Sequence, residues 1–203
     1  MQKLGKNIFD GLTTAWDGLW IIWITEIFWI LLCLPIVTIP AAFAGQYYTM
    51  HELVNGEAVE WRTFFEGIKL FFWPAVRWTV VNLLVILTLG IYILFLSSSA
   101  SSSGLDWLSG IPLGLLVIWL IINGFTFPFM LNQENPSYGM ALRNSLVFYL
   151  KWPFHALAFM LINAVMIGLS IWLVIPWIIL TASFTALMAT VCIKNKVEEV
   201  KTV

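Results

Sequence analysis

Two prolines, Pro35 and Pro40, separate two apolar runs within the stretch Leu32–Tyr48. Proline has no backbone N–H, so it interrupts a helix and is best tolerated in the first turn of the next one. Small residues follow, and the spacing of Ala41 and Gly45 lets another helix approach closely in lipid. The stretch therefore predicts the tight turn of a helical hairpin inside a bilayer.

The composition supports a membrane location for the whole chain. Apolar residues make up 61% of the 203 residues and charged residues 10%, whereas soluble domains are about 45–50% apolar and about 25% charged. A soluble fold of this size has no means of burying so much apolar surface. We therefore expect an all-α, polytopic membrane helix bundle that forms a single domain over residues 1–203. The net charge of −1 and the lack of basic clusters give no indication of nucleic-acid binding.

Six transmembrane helices are predicted, over residues 16–34, 40–54, 73–96, 112–131, 153–174 and 176–194. The second and sixth spans are short. Fifteen residues at 1.5 Å each reach about 22 Å, against a hydrocarbon core of about 30 Å. These two spans therefore either cross a thinned bilayer or re-enter on one side. The prolines that break or open the helices are Pro35, Pro40, Pro74, Pro112, Pro153 and Pro176.

Three amphipathic segments, at 2–14, 61–72 and 137–151, predict interfacial helices that lie on the membrane surface. Each precedes an outward and a return helix, which suggests a three-fold hairpin repeat. The units of this repeat are 2–54, 61–131 and 138–194, and the second and sixth spans align at an offset of 141 residues. The alternative is a chance likeness between apolar helices.

The distribution of positive charge predicts the topology. With six crossings and a cytoplasmic start, all ten Lys and Arg residues lie on the cytoplasmic side, and the outward loop 97–110 has none. With only four crossings, basic residues of the segments 61–77 and 143–151 would lie outside. The positive-inside rule therefore favours six crossings in the plasma membrane, with both termini in the cytoplasm.

Each predicted span carries a polar residue about eight residues from its cytoplasmic end, a depth of about 12 Å. Polar groups in lipid need partners within the protein, so we expect these residues to meet in one intramembrane layer. The asparagines among them are interpreted as contacts that hold the helices together. The predicted layer comprises Glu26, Gln46, Asn82, Asn123, Asn163 and Thr185.

Glu26 is a carboxylate deep in an apolar span. Placing an ionised side chain there costs at least about 2.5–3.5 kcal/mol. Burial favours the neutral, protonated form, which can donate a hydrogen bond. Two interpretations are open: a proton- or ligand-binding site, or a neutral acid that keeps the helices in register.

No metal site, cofactor or catalytic site is predicted. His51 and His155 lack neighbouring ligand residues in the sequence, and Cys33 and Cys192 are expected near opposite membrane faces. The chain contains no HExxH, GxGxxG or Walker motif and no visible nucleophile–base pair. We therefore expect a protein that is not an enzyme.

The run LPIVTIPAAFAGQYYTMHELVNGEAVEWRTFFEGIKLFFWPAVRW resembles the YesL-like family of bacterial integral membrane proteins, a domain of unknown function. The LP-VTIP-A turn, the acidic NGE loop and the W-R-FF-G segment carry the resemblance. The later ALRNSLVFYLKWPF is similar to the second interfacial segment of that family. Genes of the family often accompany those of carbohydrate ABC transporters and sensor kinases, which implies a role near sugar uptake.

These observations lead to two hypotheses of function. The first is a plasma-membrane protein accessory to carbohydrate or other solute uptake, or to its sensing, with an ABC-type permease or a sensor as its partner. The second is a small autonomous transporter or channel that uses the polar layer around Glu26.

Overall fold

The computed structural model describes residues 13, 16, 18–100, 108, 110–173 and 176–201. No strand occurs among these residues, which confirms the all-α prediction. The predicted interfacial helix at 2–14 lies outside the described residues, apart from Thr13. The helices are α1 (Leu19–Cys33), α2 (Ile39–Asn55), α3 (Trp61–Ala100), α4 (Gly110–Asn123), α5 (Thr126–Leu131), α6 (Tyr138–Lys151), α7 (Pro153–Leu173) and α8 (Pro176–Lys201).

The turn between α1 and α2 is short and closed by a side chain. Pro35 is extended and is followed by one turn of 3₁₀-helix over Ile36–Thr38. The Thr38 hydroxyl donates hydrogen bonds to the carbonyl oxygens of Leu32 and, at 2.8 Å, of Pro35. The Leu32 carbonyl lies in the last turn of α1, which lacks partners within the helix, so the Thr38 hydroxyl supplies a donor for it.

The helix α3 is continuous through Pro74, where the sequence predicted an interfacial helix followed by a separate span. A proline inside a helix removes one hydrogen bond and kinks the axis, but the helix continues when its surroundings hold it. Here the first half of α3 packs along α2. Gly67 lies so close to α2 that a Cβ atom built on it would be 2.5 Å from Tyr48 Cβ.

The second Trp-Pro pair behaves differently. Trp152 leaves helical geometry, with φ −130° and ψ 62°. The chain bends by 106° between α6 and the first part of α7, Pro153–Val165. Rings on both sides of the bend pack together. The centre of the Phe125 ring lies 4.7 Å from that of Phe148 and 4.4 Å from that of Phe159. This cluster holds α6 against α5 and α7, so the bend persists.

The fourth predicted span is broken into α4 and α5 at residues 124–125. Two hydroxyl groups of α6 serve the carbonyls that this break frees. Ser145 donates to the carbonyl oxygen of Ile122, and Tyr149 donates to that of Ile121. The break is therefore stabilised by a neighbouring helix, which local sequence does not reveal.

The core of the bundle surrounds α2, which packs against α1, α3 and α8. The close packing of α2 on α3 requires a glycine on each helix. A Cβ on Gly45 would lie 2.8 Å from the carbonyl oxygen of Phe64, just as one on Gly67 would meet Tyr48. The main buried apolar residues here are Ile22, Ala44, Met50, Phe71, Phe127, Met130 and Leu187.

Two described segments are long and apolar enough to cross a membrane, Trp61–Ser98 and Gly110–Leu131. The bent pair Tyr138–Lys151 and Pro153–Val165 adds a third if it is one span, and the apolar helices Leu19–Cys33 and Ala182–Lys194 are shorter. The C-terminal half of α3 and the N-terminal part of α4 expose apolar side chains over most of their length. The fold is therefore that of an all-helical membrane protein.

Candidate functional site around Glu26

Helices α1, α2 and α8 meet at three buried polar residues, Glu26, Gln46 and Ser183, which we call the Glu26 site. Their exposed fractions are 0%, 1% and 1%. The backbone N–H of Ser183 donates to Glu26 Oε1 at 2.7 Å, and Gln46 Nε2 donates to Ser183 Oγ. Ser183 thus joins the two predicted layer residues of the first hairpin.

The Glu26 site contains two buried oxygen atoms without a hydrogen-bond partner, Glu26 Oε2 and Gln46 Oε1. Native structures pair nearly all buried polar atoms, so each exception needs an explanation. No Lys or Arg forms a salt bridge with Glu26 among the described residues. Elsewhere on α2, His51 Nδ1 and Glu52 Oε1 lie 3.4 Å apart. An ionised Glu26 would therefore be a buried charge without a counter-ion.

The third hairpin contains a second polar pair. Thr185 of α8 donates to Asn163 Oδ1 of α7 at 2.6 Å. The amide of Asn163 donates in turn to the Phe159 carbonyl at 2.8 Å. This pair links the two arms of one hairpin, as expected for a structural interhelical contact.

Asn82 and Asn123 both meet Trp119, a residue that the sequence did not single out. The indole N–H of Trp119 donates to Asn82 Oδ1 at 3.0 Å, and Asn123 Nδ2 donates to the Trp119 carbonyl at 3.0 Å. Tyr138 of α6 donates to Asn123 Oδ1 at 3.5 Å. A string of hydrogen bonds therefore runs from α3 through α4 to α6.

The six predicted layer residues thus fall into three groups, one for each hairpin. Among the described residues, no hydrogen bond joins one group to another, and a common depth of the six residues in the membrane stays a prediction. Ser183 is not among the predicted layer residues, which include Thr185 two residues later. The signal for Ser183 in the sequence is its place in a run of small residues, 181–183.

The predicted break prolines occupy different places in the fold. Pro40 lies in the first turn of α2, Pro112 in that of α4, and Pro153 and Pro176 each begin a helix. Pro35 lies in the hairpin turn and Pro74 inside α3. None of them contacts the Glu26 site through a hydrogen bond in the described residues.

The described residues hold no group of three or more His, Cys, Asp or Glu side chains able to bind a metal ion. His51 lies near Glu52, Asn55 and Asn132 at 3.2–3.5 Å. Cys33 and Cys192 are free thiols. The buried polar groups of the Glu26 site offer hydrogen bonding and, through the carboxyl group, proton binding.

No family model, curated protein or solved structure matches the chain.

Proposed function

We propose that the chain is a multi-pass plasma-membrane protein, not an enzyme, that acts as an accessory subunit in the uptake of a solute, in particular a carbohydrate, or in its sensing. The resemblance to the YesL-like family supports the carbohydrate part of this proposal. The expected partner is an ABC-type sugar permease or an associated sensor.

The proposal includes six crossings with both termini in the cytoplasm. The placement of the ten Lys and Arg residues supports this topology. It also includes the hairpin repeat, which one pair of contacts supports. Thr49 donates to the Gly45 carbonyl at 2.8 Å, and Thr190 donates to the Ala186 carbonyl at 2.9 Å, at the predicted 141-residue offset.

The observation that carries the accessory role is the exposed hairpin formed by α3 and α4. No residue in the most apolar 18-residue stretch of α3 is buried within the chain. The other half of α3 is packed in the bundle. A groove of about 410 Å³ separates the two helices and offers room for side chains of a partner helix. It is lined by Leu84, Val85, Thr88, Leu89, Leu115, Ile118, Trp119 and Ile122.

Purification of the tagged chain from its native membranes in a mild detergent tests this proposal. We expect a permease or sensor to co-purify, because helices associate in lipid through close packing. The double substitution Leu84→Trp and Leu115→Trp should fill the groove and reduce the recovered partner. The matched control is Leu157→Trp on α7, where Leu157 is equally apolar and exposed. A solitary protein, or equal recovery from both variants, would contradict the accessory role.

The second candidate function, a small autonomous transporter or channel, is favoured by the two unpartnered oxygens of the Glu26 site. A carboxyl group that is buried in the membrane is a common element of proton relays. In proteoliposomes that contain only this protein, we would then expect a proton or solute flux that Glu26→Gln abolishes. Glu66→Gln, at an exposed position of α3, should leave the flux intact. A flux that survives Glu26→Gln would rule out this candidate.

A further inference from the structure

The hydrogen-bonding groups of the Glu26 site lack one donor. Glu26 Oε1 accepts from the Ser183 N–H, and the amide of Gln46 donates to the Ser183 hydroxyl oxygen. The two remaining atoms, Glu26 Oε2 and Gln46 Oε1, are both acceptors when the carboxyl group is ionised, and both are buried without a partner. A proton on Oε2 would turn that oxygen from an acceptor into a donor.

The Ser183 hydroxyl, whose oxygen accepts from Gln46, keeps its own proton and forms a side-chain hydrogen bond to Glu26. Glu26 Oε2 nevertheless has no partner. Thr25, next to Glu26, donates to the Ile21 carbonyl at 2.9 Å. Thr49, on α2, donates to the Gly45 carbonyl at 2.8 Å. Both threonine hydroxyls are thus engaged within their own helices. The donor that fits the unpartnered Oε2 is a proton on Glu26 itself.

The charged side chains that the structure describes on the helices around Glu26 have other places in the fold. On α2, Glu52 pairs with His51. On α8, Lys194 donates to the Val54 carbonyl at 2.8 Å, and Lys196 lies 5.8 Å from the centre of the Trp152 ring. On α1 itself, Cys33 is a free thiol of intermediate burial. The charged residues of α3 are exposed; they are Arg62, Glu66, Lys69 and Arg77.

A bound metal cation fits the Glu26 site less well than a proton. Ca²⁺ takes six to eight oxygen ligands and Mg²⁺ takes six. The Glu26 site offers the two unpartnered oxygens and the Ser183 hydroxyl, and the nearby threonine hydroxyls are engaged. A proton needs only one donor atom and one acceptor atom.

We propose that Glu26 and Gln46 form a proton-binding site within the membrane, in which protonated Glu26 donates from Oε2 to Gln46 Oε1. The proton completes a closed ring of hydrogen bonds through Glu26, Gln46 and Ser183, which ties α1, α2 and α8 together. Release of the proton leaves an uncompensated buried charge and loosens this junction. The proposal does not depend on whether the chain works alone or with a partner.

Infrared spectroscopy of the purified full chain in nanodiscs tests the proposal directly. At neutral pH, the wild type should show the C=O stretching band of a protonated carboxylic acid, shifted in D₂O. The band should vanish in Glu26→Gln and should move in Gln46→Leu, because the acceptor is lost. The matched control Glu66→Gln should leave it unchanged. Absence of the band from the wild type, or its survival in Glu26→Gln, would overturn the proposal.

The melting temperature of the same variants provides a second test. Glu26→Gln replaces the O–H donor by an N–H donor of similar shape, so its melting temperature should stay close to that of the wild type. Glu26→Leu removes the ring and should melt at a clearly lower temperature. If Glu26→Gln melts as early as Glu26→Leu, the O–H donor does not hold the ring and the proposal is wrong. If added Na⁺ or Mg²⁺ stabilises the wild type but not Glu26→Gln, the site binds a cation, and the proposal is wrong as well.

Discussion

Replacing Phe127 with alanine is expected to lower the free energy of unfolding by about 3 kcal/mol, the lower end of the range for such truncations. Phe127 is fully buried in α5, with its ring 5.0 Å from that of Tyr47 and 5.5 Å from that of Trp78. We expect the lower end of the range because burial against other helices in lipid, unlike burial from water, adds little hydrophobic free energy. The loss then comes from the missing packing contacts and the cavity. Denaturant unfolding in detergent micelles measures the change.

Phe95→Ala is the matched control for this prediction. Phe95 lies in the C-terminal half of α3 and is 63% exposed, so its truncation leaves no cavity. We expect a change below about 0.5 kcal/mol, as for most surface substitutions. Equal effects of the two substitutions would mean that α5 does not pack between α2 and α3.

Gly67→Ala should destabilise the fold by about 1–3 kcal/mol, the usual range for overpacking. The new methyl group would lie 2.5 Å from Tyr48 Cβ and 2.9 Å from two atoms of its ring. A Cβ atom cannot move without its backbone, so α2 and α3 must separate to admit the methyl group. The loss should appear as a lower melting temperature in a thermal scan of the purified protein.

The same helix supplies the control, Gly90→Ala. A Cβ on Gly90 would meet no atom within 4 Å, and alanine is the better helix former by about 1 kcal/mol. We therefore expect Gly90→Ala to be neutral or slightly stabilising. If Gly67→Ala behaved in the same way, the close approach of α2 and α3 would be wrong.

The elements that the sequence predicted best are those with strong local causes. The apolar run of α1, the prolines at 35 and 40 and the glycine after α2 define the first hairpin. Gly56 has a φ of +82°, a conformation that ends helices and suits glycine. Local sequence could not predict the different behaviour of the two Trp-Pro pairs, Trp73-Pro74 and Trp152-Pro153. One continues as a helix and the other bends by 106°, because the neighbours that hold each segment differ.

The polar residues show the same division. Their polarity, set in apolar spans, marked Glu26 and Gln46 as groups in need of partners. Their common partner, Ser183, is 157 residues from Glu26 along the chain. Which face of α8 turns towards α1 depends on the rotation of whole helices, so spacing within one span cannot predict it.

The sequence by itself determined that this protein is helical and belongs in a membrane, because backbone polar groups in lipid must be satisfied within each helix and long apolar runs leave no other solution. Only the tertiary structure decided which proline bends the chain, where the fourth span breaks and which polar groups pair. The physical reason is that helices which meet in lipid are selected by close packing between distant segments, with glycine at the contacts of α2 and α3 and hydroxyl groups of α6 at the end of α4.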